Sequence, residues 1–230
     1  MTRLLTGMAL AAGLALSAAP GVANITIVGG DAGEIPAGST HPNDFLTASL
    51  AGSFGLSYPT LGGFFNAQLT GSAPAYRFEY FGAEAGATNT FTVGSKSFVH
   101  DPGSTNTLSA SVLDTIIAST LDFTIGTTQS GAAPNPVVNN DDGTGNNDGG
   151  DDPLTTDVET NFTNFFVTFG DDSTKSGDVV WVFFDDSGAS DDDNHDDMVV
   201  RISAVPLPAG VLLLGLGLGG LAAYRRRQAA

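Results

Sequence analysis

The chain has 230 residues, no cysteine, and a formal net charge of −17 from 25 acidic and eight basic residues. So acidic a surface repels phosphate backbones, which excludes nucleic acid as a partner and favours cations and cationic surfaces. Without cysteine there are no disulfides, so an exported form has to hold together by packing or by a bound metal.

Residues 1–23, MTRLLTGMALAAGLALSAAPGVA, have the build of a secretory signal peptide. Arg3 supplies the positive start. Leu4 to Ala19 is apolar but short and Ala-rich for a bilayer core of ~30 Å. Gly21 and Ala23 stand at the −3 and −1 positions of a cleavage site. The predicted body, residues 24–204, contains all 25 acidic residues and only Arg77, Lys96, Lys175 and Arg201 as basic ones, a net charge of −21. A body of about 180 residues is enough for one domain with a real core. Its acids are 21 Asp to 4 Glu, a ratio that suits turns and cation loops better than helices.

Along the body the apolar runs are short and β-like. Periodicity predicts strands at Ile25–Val28, Phe64–Leu69, Tyr76–Phe81, Thr90–Val93, Ser97–His100, Leu121–Ile125, Phe162–Phe169, Val179–Phe184 and Met198–Ser203. Tyr76, Phe78 and Tyr80 alternate with Arg77 and Glu79, and Phe91 and Val93 share a face. The uninterrupted VVWVFF run is expected of a central strand covered on both sides. Ser109–Thr120 is predicted as a helical turn or two. Residues 130–153, rich in Gly, Asn and Asp, are predicted as a flexible acidic loop inserted into a single domain. Short strands separated by turn residues predict an all-β, antiparallel sandwich or jelly-roll-like body.

The densest acidic cluster is FFDDSGASDDDNHDDMVVRIS, from Phe183 to Ser203. Two β-runs flank it, so it should be a hairpin that gathers carboxylates at one end. At 4 Å, like charges repel by ~1 kcal/mol per pair even in bulk water. Two outcomes are open: the acids splay into solvent, or a cation holds them, and calcium with its six to eight oxygen ligands suits such a loop. It is not an EF-hand, because counting back from Gly188 puts Phe183 at the first ligand position; Gly143 and Gly149 fail likewise, with Val138 and Thr144 there. The cluster resembles the acidic hairpin of calcium-associated β domains in bacterial surface proteins. The resemblance places Phe184 and Asp186 at its aromatic–acidic pair, and Asp192, Asn194, Asp196 and Asp197 before the strand at Val199-Val200. It implies calcium as cofactor and Asp186, Asp192, Asn194, Asp196 and Asp197 as the metal residues; spacing alone allows the shifted register of Asp191 and Asp193.

For catalysis there is little to build on. No H-E-x-x-H, G-x-S-x-G or phosphate-cradling motif is present, and AGSFG at Ala51–Gly55 lacks the first glycine of a nucleophile elbow. His41 and His100 lie in turn-like surroundings and are expected at the surface, and His195 is expected solvated within its acidic loop. Paired carboxylates are the one hydrolytic arrangement that so acidic a chain allows. The expectation is therefore not an enzyme. For sugar stacking, the lone tryptophan Trp181 lies in a predicted core strand, which leaves Tyr58, Tyr76 and Tyr80.

The C-terminal stretch, residues 205–230, reads VPLPAGVLLLGLGLGGLAAYRRRQAA. Residues 209–224 are apolar or small and predict a short transmembrane helix, with Tyr224 at the interface and Arg225 to Arg227 holding the end in the cytoplasm. The proline pair, the short glycine-rich span and the basic end resemble the VPLPA-CTERM sorting signal, a variant of the PEP-CTERM tails of exported Gram-negative proteins. The pentapeptide stands intact from Val205 to Ala209. The resemblance implies an exosortase-type membrane protease as partner, an inner-membrane-anchored precursor, removal of the tail, and delivery to the cell surface or extracellular matrix, often beside exopolysaccharide. The expected role is structural or adhesive and calcium-stabilised, the alternative being a carbohydrate-binding module acting on matrix exopolysaccharide.

Overall fold

The computed structural model describes residues 24–36, 43–56, 60–102, 108–128, 137–139, 164–186, 195–206, 217–221, 224–226 and 228. The chain forms two compact units, one of residues 23–205 and one of residues 1–22 with 206–230. The second is described beyond Pro206 only at residues 217–221, 224–226 and 228, all helical. No described helix is long and apolar enough to cross a membrane. The predicted span 209–224 lies partly outside the described residues, as the predicted signal peptide does wholly.

The larger unit is mostly β, and all pairings between its strands are antiparallel. Its strands are β1 (Ile25–Pro36), β2 (Thr60–Gly71), β3 (Ala75–Gly82), β4 (Asn89–Val93), β5 (Lys96–His100), β6 (Asp114–Ala118), β7 (Phe123–Thr127), β8 (Val137–Asn139), β9 (Asn164–Thr168), β10 (Ser176–Gly177), β11 (Val179–Asp185) and β12 (Met198–Val205). An eight-stranded sheet has the order β10-β1-β2-β9-β11-β12-β3-β6, and a four-stranded sheet the order β5-β4-β7-β8. A 3-10 turn (Asp44–Leu46) leads into a short helix α1 (Ala48–Phe54), which Gly55 ends in the left-handed region at φ 73°.

Strand alternation explains the packing. On β11, Val180, Val182 and Phe184 join one core with Phe78, Tyr80, Phe91, Phe98, Phe123 and Ile125, so the two sheets share it. The intervening Trp181 and Phe183 point the other way, into a second core with Phe45, Leu46, Phe54, Phe65, Phe81 and Phe166. The large sheet is therefore covered on one face by the small sheet and on the other by the 43–56 segment. This is the physical reason for the uninterrupted VVWVFF run, since a strand between two cores has no polar face. Where β2 meets β9, a side chain on Gly63 would collide with Phe166 and the Val167 carbonyl, so only glycine lets the strands approach.

The predicted strands fall on β1 to β5, β7, β9, β11 and β12, most of them longer than expected. Ser109–Thr120 is not helical; it is irregular through the exposed Leu113, then forms β6, an edge strand with Ile116 buried and Ile117 exposed. The predicted loop 130–153 contains the strand β8, and its remaining residues lie outside the described ones. AGSFG is the end of α1 rather than a strand-to-helix elbow, and the Ser53 hydroxyl donates to the Ser49 carbonyl.

Candidate functional site

The β11–β12 hairpin forms as the pattern predicts, with Phe183 opposite Val199. The β11–β12 ladder ends at that pair, beyond which Phe184 makes an isolated bridge to Asp196, and a bulge lies between Val199 and Val200 where β12 pairs with β3. The described acids at this end are not solvated. Asp185, Asp186, Asp196 and Asp197 are all buried, Asp196 fully, which departs from the splayed, hydrated turn held open above. Asp191, Asp192, Asp193 and Asn194 lie outside the described residues.

Successive residues of an extended chain face opposite ways, and this splits the cluster in two. On the side of the small sheet, the Asp186 backbone N–H donates to Asp197 Oδ2 at 2.8 Å. Asn89, the first residue of β4, donates from Nδ2 to Asp186 Oδ2 at 2.9 Å and to the Asp197 carbonyl at 3.1 Å. On the side of the 43–56 segment, the Asp44 N–H donates to Asp196 Oδ2, the Glu84 N–H donates to the Asp196 carbonyl at 2.9 Å, and the His195 N–H donates to Asn43 Oδ1 at 2.7 Å. Three layers meet here: the cap, the large sheet and the small sheet.

Burial pushes the carboxyls of Asp186, Asp196 and Asp197 above their ordinary range, because charge is poorly solvated inside protein. For Asp197 the neighbouring Asp186 and Asp185 add to the effect. Partial burial, then the hydrogen bond and the charge of Asp44, carries Glu84 up to about 7. Such a group of acids needs protons or a cation to neutralise it. His195 is fully buried, its ring edge-on to Phe65 at 5.5 Å and Phe166 at 6.2 Å between centroids, so it is a core residue rather than a solvated one. His100 is also buried, a ring nitrogen 3.2 Å from the Ala85 carbonyl, against the expectation of a surface position. His41 lies outside the described residues.

Of the metal residues expected from sequence, the fold brings Asp186 and Asp197 together and turns Asp196 towards Asp44 and Glu84. Among the described residues no three Asp, Glu, His or Cys side chains gather at metal-binding spacing. The groups that meet at Asp186 and Asp197 are carboxylate and backbone-carbonyl oxygens joined through the Asn89 Nδ2, and oxygen ligands suit calcium rather than a soft metal. Asn89 Oδ1 is buried without a hydrogen-bond partner. Leaving such an acceptor unmet costs about 1–3 kcal/mol, which a bound cation would remove.

Sequence reasoning missed Asn89, Asn43, Asp44 and Glu84. For Asn89 a signal existed: it shares its alternation with Phe91 and Val93, a polar residue in the core-facing phase of β4. Of the aromatic residues considered for sugar stacking, Trp181, Tyr76 and Tyr80 are buried, and Tyr58 lies outside the described residues. No protein-family model matches the chain, and neither does any curated protein or solved structure.

Proposed function

We propose that the chain is an exported structural or adhesive protein of the cell surface or extracellular matrix, with a β-sandwich-like body, sorted by its C-terminal signal and steadied by calcium at its acidic end. The observation that carries the sorting reading is the place of the pentapeptide. The last strand ends at Val205 and the second unit begins at Pro206, so VPLPA starts where the body stops. Val205, the first residue of the pentapeptide, closes β12 opposite Ala75, and the other four follow the strand in the chain, where an exosortase-type protease would act. The apolar 209–224 stretch with its arginine cap then serves as the temporary anchor, by the positive-inside rule.

At the acidic end, Asp186 and Asp197 from the fold, with Asp192 and Asn194 from the sequence pattern, are the residues that would hold calcium. The ion would supply neutralising charge and order, with no catalytic step. Burial of Trp181, Tyr76 and Tyr80 takes these three rings away from a carbohydrate-binding face, which favours the structural reading.

Mass spectrometry of the protein's C-terminus, taken from surface or matrix fractions, tests the sorting reading. The expected mature chain lacks residues beyond about Pro208, by the place of the pentapeptide and the stop-transfer charge that follows it. Intact Ala230 on most surface-located protein would overturn processing and leave a plain membrane anchor.

A further inference from the structure

The strands that turn Phe78, Ile116, Val180 and Ile202 into the shared core turn Arg77, Ile117, Val179 and Ser203 the other way. Strand pairing sets these four in one row across β11, β12, β3 and β6. Val179 stands opposite Ser203, Ser203 opposite Arg77, and Arg77 opposite Ile117. The 43–56 segment covers other parts of this face but leaves the row open. Val179 is 41% exposed and Ile117 53%, and Arg77 is exposed between them. The Arg77 side chain makes no ion pair or hydrogen bond with another described residue.

On so acidic a body this row holds no acid. The next row runs Trp181, Arg201, Glu79, Thr115, and its one carboxylate is paired with Arg201. Two of the body's four basic residues thus stand here, with aliphatic side chains at both ends of the open row. Both rows are self-complementary. A two-fold axis along the strands, between β12 and β3, lays Val179 on a second copy's Ile117 and Ser203 on its Arg77. The same rotation lays Arg201 over the second copy's Glu79, so apolar meets apolar and opposite charges meet. Two bodies of like charge repel over most of their surface, and they approach at least cost where acids are fewest. We propose that this open end of the large sheet's outer face is an isologous interface between two copies of the chain. The proposal stands apart from the calcium and sorting readings, and its failure leaves both untouched.

Cross-linking tests it, since the chain has no cysteine of its own. Facing sheets stack about 10 Å apart, beyond the ~7 Å between Cα atoms that a disulfide allows, so a bismaleimide of about 10 Å reach is the probe. One batch of the full chain, purified in detergent, carries Val179→Cys and another carries Ile117→Cys. Mixed, they should cross-link several-fold more than a Val99→Cys batch, whose exposed site lies on the small sheet. Ile117→Asp brings an acid into the row at an exposed position and should weaken self-association roughly tenfold in sedimentation equilibrium. Equal cross-linking of Val99→Cys and the mixture would mean that the copies meet elsewhere, their apolar tails included, and overturns the proposal. Parent-like association of Ile117→Asp overturns it too. So does a parent chain that sediments as a monomer at every concentration, the result expected if the face serves an anionic polymer instead. Should Ile117→Asp fail to fold, the cross-linking decides.

Discussion

The backbone N–H of His195 donates to the side-chain oxygen of Asn43 at 2.7 Å, joining residues 152 positions apart. Next to this bond the Asp44 N–H reaches Asp196, and Phe45 stacks on Phe183 with centroids 4.2 Å apart. The cap is thus fastened to the hairpin by polar contacts at one point and by an aromatic pair at another. Asn43→Ala removes the acceptor from a buried N–H and should cost about 1–3 kcal/mol in urea unfolding. A loss under about 0.5 kcal/mol would mean that the Asp44–Asp196 bond and the aromatic packing hold the cap without Asn43.

Arg201 and Glu79 stand directly opposite on β12 and β3, and two guanidinium nitrogens share one carboxylate oxygen at 2.9 Å. The guanidinium also lies over Phe81 at 5.1 Å and Trp181 at 5.4 Å. Arg201→Met keeps an apolar stem over the rings but leaves Glu79 buried with its charge unpaired. Because the arginine is a third exposed, about 1–3 kcal/mol is expected rather than the full cost of a buried pair. The double variant with Glu79→Gln should cost less than the two single changes added. Strict additivity in denaturant unfolding would show that the pair does not couple.

The buried acids set the sign of the pH response when divalent cations are chelated. Asp186, Asp196 and Asp197 are pushed up by burial, and Glu84 is carried from its ordinary 4.5 to about 7. The folded chain then keeps protons that the unfolded chain has released, so stability falls as pH rises through that interval. Asp171 works in the opposite sense, held low by bonds from Ser173 and Thr174, but its contribution is lost only as pH falls below its ordinary 3.8. Tm measured in chelator should therefore drop between about pH 4.5 and 7, and calcium should flatten the drop. A Tm that climbs across this interval would contradict the proton assignment.

Alternation made most of the sheets readable, because a strand covered on one face announces itself at every second residue. The lack of alternation in VVWVFF marked β11 as central. Ser109–Thr120 misled for a definite reason: Val112-Leu113 and Ile116-Ile117 are apolar pairs four apart, as on a helix face. On an edge strand only Ile116 needs to be buried, and its neighbours stay exposed. Helix α1 escaped notice because seven residues burying only Ala51 and Phe54 leave almost no periodicity. At the acidic end, the hairpin was visible in the chain order but its surroundings were not. Asn43 and Asn89 reach it across 152 and 97 positions, distances over which spacing says nothing.

The place of β12 has a consequence for the order in which the body can be made. This strand is the last of the body to leave the ribosome, yet it lies inside the large sheet, between β11 and β3. Until residues 198–205 are available, β11 and β3 each present an unpaired row of backbone groups, and Val199, Val200 and Ile202 are missing from both cores. The earlier strands cannot close early around a partial core. Closure of the large sheet across its middle therefore waits for the body's last residues.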